Sequence, residues 1–178
     1  VVEQLIQAGI PEELVVIIVS ALPILELRGA LPVAINILHI PWYWAFGLAV
    51  IGNLLPVPFL LLFLDSLAKW ISRADTGKRL VGWVFQRTRK RGKIIERYER
   101  IGLTLFVAIP LPFTGAWTGS IAAFLFGLKF YRSLLFIFFG VVIAGAIVTI
   151  LCLLGWLGAI LAGVGLGCLV IIGLWKSW

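Results

Sequence analysis

Three stretches of this 178-residue chain hold no charged side chain: between Arg28 and Asp65, between Arg100 and Lys129, and between Arg132 and Lys176. Each is long enough for a bilayer-spanning helix, which takes about 20 apolar residues. With 62% hydrophobic and only 13% charged residues, the composition lies outside the range of soluble domains. An all-α polytopic membrane protein is therefore expected. Cys152 and Cys168 lie deep in the last apolar stretch, where small thiols act as packing residues rather than as a disulfide. No short apolar segment ending in a small-residue cleavage site precedes the first hydrophobic run, so no cleavable signal peptide is expected.

The charge is concentrated in one place. Eleven of the fifteen Lys and Arg residues fall between Lys69 and Arg100, beside four acids, Asp65, Asp75, Glu96 and Glu99, a local excess of +7 that equals the whole chain's. Positive loops stay on the cytoplasmic side, so residues 65–101 are expected there. The densest part, Arg87, Arg89, Lys90, Arg91 and Lys93, follows the apolar Leu80, Val81, Trp83, Val84 and Phe85. Such a segment either lies along the inner leaflet or serves only to fix topology. Tethered between membrane segments and lacking a recognition motif, it is not expected to bind nucleic acid.

The second half repeats the first. At an offset of 88, Ala34, Tyr43 and Gly52 meet Ala122, Tyr131 and Gly140; with small gaps, Pro23 pairs with Pro110 and Gly29-Ala30 with Gly115-Ala116. Each half reads as a short apolar run, a proline-containing break, Gly-Ala, a second short run and a long apolar helix. In the first half Leu14 to Leu25 is twelve residues, about 18 Å of helix, which reaches the midplane and stops. The stop carries Pro23, Glu26, Arg28, Gly29 and Pro32, breakers and charges that a lipid-facing helix does not tolerate at its centre. In the second half the break runs over Pro110, Pro112, Thr114 and Gly115.

The expected organisation is an interfacial segment at 1–11, a first repeat at 12–64 (re-entrant hairpin 12–40, transmembrane helix 41–64), the basic loop 65–101, a second repeat at 102–156 (hairpin 102–128, transmembrane helix 133–154) and a C-terminal transmembrane helix at 157–175. If both broken segments are re-entrant, Lys129, Arg132 and Lys176 lie inside and Glu3, Glu12 and Glu13 outside. If both cross fully as kinked helices, the same three cations lie outside, against the usual bias. The hairpins are favoured, and they make the two halves inverted repeats, a plan that places a binding site where broken helices meet. Near the end, Gly155, Ala159, Gly163 and Gly167 recur every four residues, a face suited to close packing within the subunit or to a homo-oligomer contact.

Glu26 and Arg28 are the only charges expected at bilayer depth, and such groups are functional candidates by default. Glu26 is expected to take up and release a proton while Arg28 holds an anionic group; the alternative is an ion pair that pins the hairpin. Asn53, Thr114 and Thr118 are weaker candidates for substrate binding or coupling. No HExxH, GxSxG or CxxC pattern occurs, and the one histidine, His39, lies near the expected outer surface beside Pro41 and Trp42, so neither an enzyme nor a metal or cofactor site is expected.

The stretches Pro23 to Ala34, Ile51 to Phe59 and Pro110 to Trp117 resemble the small multidrug export protein family of bacteria and archaea, over nearly the whole chain. More distantly, the layout is similar to the DedA, or VTT-domain, superfamily. That resemblance implies two re-entrant hairpins in the cytoplasmic membrane and transport of polyprenyl phosphates or phospholipids. It likens Glu26 after Pro23 to the proline-and-glutamate motif of the first hairpin and Gly52-Asn53 to a glycine-aspartate pair. Where DedA proteins place an arginine near the second tip this chain has Thr114, and Arg28 is the candidate to replace it. Half-helices beginning at the midplane point positive dipole ends there, and with Arg28 they favour an anionic lipid. Glu26 alone would suit export of a small cationic compound, and a non-transporting scaffold is the third reading.

Overall fold

The computed structural model describes residues 2–71, 93–110, 114–161, 163–165 and 167, and all regular structure among them is helical. A short α1 (Val2–Gln7) precedes α2 (Glu12–Ala21) and α3 (Glu26–Pro32), which widens into a π-helical turn at Val33–Ile37. The long α4 (Trp42–Leu54) continues through a joint at Leu55 into α5 (Pro56–Ile71). Then come α6 (Lys93–Ala108), α7 (Ala116–Leu125) and α8 (Phe130–Leu153). Helical backbone resumes over the described residues of Trp156–Gly165.

Prolines set most of these boundaries. Pro11 lacks an N–H and holds φ at −55°, ready to start α2, whose first turn carries Glu12 and Glu13 against the positive helix end. Leu22 is forced extended (ψ 139°) by the Pro23 that follows, and α2 stops. Pro41 starts α4 in the same manner as Pro11 starts α2. Pro56 stands at the first position of α5, so the joint costs little, and Trp42–Leu67 forms one apolar span of 26 residues. Gly155, at φ +58°, takes the left-handed position that closes α8.

Two helices, Trp42–Leu67 and Phe130–Leu153, are long and apolar enough to cross a membrane, with only 33% and 39% of their most apolar windows buried. A core helix of a soluble domain would be mostly buried. Instead Phe59, Leu62, Phe63, Phe138 and Ile150 face outward, an apolar surface that lipid would cover. Of the others, α2 and α7 have ten residues each, about 15 Å, half the hydrocarbon thickness.

Packing follows the two halves. α2 lies against α4 and α6 against α8, while α3 crosses to α8 and α7 to α5. Each of the first two contacts closes on a glycine. A Cβ at Gly52 would strike the Ile17 carbonyl and stand 2.9 Å from Ser20 Cβ; one at Gly140 would stand 2.9 Å from the Thr104 carbonyl and 2.6 Å from Val107 Cβ. Ile17 and Ser20 precede Thr104 and Val107 by 87 residues, the spacing of Pro23 and Pro110. The two long helices also open alike, with edge-to-face rings at Trp42–Tyr43 (5.9 Å) and Phe130–Tyr131 (5.4 Å).

Several expected boundaries move. α5 runs to Ile71 and α6 begins at Lys93, so helix enters both flanks of the segment expected as a loop at 65–101. Lys, Arg and Glu are good helix formers, and the end of an apolar run need not end a helix. The inner-leaflet reading of residues 80–91, and residues 168–175 of the expected C-terminal span, lie outside the described residues. Among the described residues the small-residue stripe shows no close packing: an added Cβ at Gly155, Gly163 or Gly167 meets nothing within 4 Å. Gly155 serves as a helix terminator instead.

Candidate functional site

The first break spans Leu22–Leu25, shorter than the cluster of breakers implied. Gly29 and Pro32 lie on α3 itself, as do Glu26 and Arg28. Pro32 is the seventh residue of α3, where its missing N–H removes one helical bond, and the chain beyond it relaxes into the wider turn closed by Leu38 N–H to the Val33 carbonyl at 2.9 Å. Glu26 opens α3 at φ +49°, a left-handed conformation that a non-glycine residue holds at a cost of about 1–3 kcal/mol unless its surroundings fix it.

Those surroundings belong to the second break. The Glu26 carboxylate lies at the start of α7: the Trp117 N–H donates to Oε1 at 3.4 Å, and the Ala116 N–H faces the same group. It thus meets the first unsatisfied donors and the positive end of that helix. Gly115, the residue preceding α7, lies so close that a Cβ there would collide with the carboxylate. Arg28 serves the other edge. Its Nη2 donates to the carbonyls of Val107 (3.2 Å) and Ile109 (3.1 Å) at the end of α6, and to Thr114 (2.8 Å) across the break. Its Nη1 stands 3.7 Å from Glu26 Oε2. One ion pair therefore places its anion on a helix start and its cation on a helix end, both in the other half of the chain. Trp117 completes the exchange by donating its indole N–H to the Ala21 carbonyl at the end of α2, 3.1 Å away.

The expectation that α7's positive end adds to Arg28 in attracting an anion is corrected by this arrangement, because Glu26 already answers that end. Arg28, the candidate to replace the second-tip arginine, bonds the Thr114 carbonyl from α3. Thr114 Oγ1 donates to the Ile109 carbonyl at 2.8 Å, a backbone group freed by the break, while Thr118 Oγ1 donates at 3.2 Å to the Gly115 carbonyl, which also accepts from the Gly119 N–H. Asn53 is buried on α4, and its Oδ1 has no hydrogen-bond partner among the described residues. Pro23 lies in the first break and Pro110 in the second, while Pro112 lies outside the described residues.

Beside Arg28 lies a cavity of about 430 Å³, bounded by Pro32 and Asn36, by Ile109 and Pro110, and by Val148, Cys152 and Ala159 on the far side. Arg28 is the one charged side chain among the described residues that line it; Glu26 does not. The volume is that of a small-molecule pocket, apolar with a few polar groups. Trp117, Asn36 and Cys152 were not legible as site residues. Trp117 stands in the Gly-Ala-Trp run, but nothing in a sequence distinguishes a latch tryptophan from an interfacial one.

Residues 26–147 match the family described as "Putative small multi-drug export protein", and the chain belongs to that family. The matched region opens on Glu26 and holds both members of the ion pair and the whole second break; the cavity wall from Val148 onward lies beyond it. No curated protein and no solved structure matches the chain.

Proposed function

We propose that this member of the small multi-drug export family is a multi-pass transporter of the cytoplasmic membrane. It carries an anionic amphiphile, such as a phospholipid or a polyprenyl phosphate, through the cavity beside Arg28. The observation that supports this most directly is the cavity's lining: one guanidinium and one amide against apolar walls, with the neighbouring carboxylate turned away onto α7. A phosphate or carboxylate suits that wall better than an ammonium does. Two broken helix pairs, each followed by a long apolar helix, suit re-entrant hairpins in inverted repeats, and the shared glycine crossings support the repeat. The basic segment between them then faces the cytoplasm. Glu26, held at 3.7 Å from the same guanidinium, is the group placed to couple a proton to the cycle.

Native mass spectrometry of gently extracted protein tests the cargo. The wild type should retain an anionic lipid that is lost both in Arg28→Ala and in Ala159→Phe, which fills the cavity without touching the ion pair. Retention of no anionic lipid, or retention unaffected by either variant, would sink the reading. A specific observation also favours a scaffold without a transport cycle: Glu26 and Arg28 both bond backbone groups of the second break. Transport into vesicles separates the two, since folded Glu26→Gln should lose transport but would leave a scaffold's phenotype intact.

A further inference from the structure

Two oxygens buried at the crossing of α2 and α4 take no part in the function proposed above. Ser20 and Asn53 are 0% and 3% exposed, and neither Ser20 Oγ nor Asn53 Oδ1 has a hydrogen-bond partner among the described residues. A helical serine can return its hydroxyl to its own backbone, as Ser120 does to the Ala116 carbonyl at 2.7 Å, and Ser20 does not. Polar atoms buried without partners are costly, so two at one crossing call for an explanation.

The chain itself shows that such a crossing does not need them. In the second half Val107 and Val141 stand 87 and 88 residues beyond Ser20 and Asn53, at the crossing on Gly140, and each is 1% exposed in the apolar core. What the first crossing gathers instead is acceptors. Ser20 is the last residue but one of α2, at the negative end of that helix, and it abuts Gly52, whose added Cβ would stand 2.9 Å from Ser20 Cβ. Pro56 has no N–H to offer the Gly52 carbonyl four residues earlier. Asn53 follows Gly52 at the middle of the 26-residue apolar span Trp42–Leu67.

We propose that the crossing of α2 and α4 binds a monovalent cation, sodium, through Asn53 Oδ1, Ser20 Oγ and the Gly52 carbonyl. Freed backbone carbonyls and helix C-terminal ends near the midplane are the surroundings in which membrane transporters hold sodium. The set has no carboxylate of the kind that calcium and magnesium sites use, so one charge suits it and two do not. The two backbones meet with no room for a Cβ at Gly52, which favours sodium over the larger potassium. The site uses neither the cavity nor Arg28, and it stands whether or not the cargo is anionic.

Equilibrium binding of radiolabelled sodium to the full chain in a neutral detergent tests this, with potassium or N-methylglucamine chloride holding the ionic strength. The wild type should bind sodium saturably, displaced by unlabelled sodium and not by potassium. Its unfolding midpoint should rise by about 3–6 °C at ten times the half-saturating concentration. Ser20→Val combined with Asn53→Val gives the first crossing the residues of the second; it should keep its midpoint without sodium and lose about tenfold or more in sodium affinity. Ser20→Ala, which removes a single oxygen, should weaken binding severalfold, while Ala159→Phe should bind as the wild type does. No saturable binding to the folded wild type, the result expected if water alone fills the crossing, would overturn the proposal. So would unchanged affinity in the folded Ser20 and Asn53 variants, or loss of binding in Ala159→Phe, which would move the ion to the cavity.

Discussion

The two broken pairs are made by the same means and completed by different ones. At the first break the backbone nearly suffices: the Leu22 N–H reaches Val19 at 3.3 Å, Glu26 reaches Leu22 at 3.0 Å and Gly29 reaches Leu25 at 2.8 Å. At the second, the ends of α6 and α7 are joined by a guanidinium and capped by a carboxylate that both come from α3. A break closed by its own backbone survives on local geometry. One closed by a distant ion pair depends on the rest of the molecule.

That contrast can be broken most severely at Arg28. Arg28→Ala removes the donor of three backbone carbonyls and leaves Glu26 without its cation, a loss of about 3–5 kcal/mol; thermal unfolding in detergent should show it as a large fall in midpoint. Gly115→Ala comes next, at about 2–3 kcal/mol, because the methyl group meets the carboxylate. Its counterpart Gly29→Ala, where a Cβ would stand 3.1 Å from the Leu25 side chain, should cost under about 1 kcal/mol. Equal losses at the two glycines, measured side by side, would erase the asymmetry. Trp117→Phe keeps the ring and loses the bond to Ala21, an effect of about 1 kcal/mol on the same scale. Smallest is Thr114→Val, about 0.5–1 kcal/mol while Arg28 still bridges the break. If Thr114→Val is additive with Arg28→Lys in a double-mutant cycle, the two do not hold the joint together.

Much of the architecture was legible. Charge-free runs announced the two long helices, and Pro23 and Pro110 marked breaks that the structure places where the prolines fall. Pro32 misled, since a proline reads as an end even where the chain bypasses it with a π-helical turn. Gly155 was legible only as a member of the small-residue stripe, because spacing alone does not distinguish such a member from a helix terminator. At the site, Glu26 and Arg28 stood out as charges in an apolar run, but their partners did not. Val107, Ile109 and Thr114 contribute carbonyls, which every residue has, and no pattern of side chains encodes which backbone oxygens a fold will bring together. Gly115 and Trp117 become informative only once a carboxylate from 89 to 91 residues upstream is known to lie against them.

The bonds from Arg28 to the second break span 79 to 86 residues of sequence. During synthesis the first half thus enters the lipid with a buried carboxylate and guanidinium that have only each other, while the ribosome is still to make the segment that receives them. The early half is an unfinished product whose charges resist burial, and the arrival of residues 107–117 completes both breaks at once. A stall over that interval would leave both charges without the backbone partners that the second break supplies.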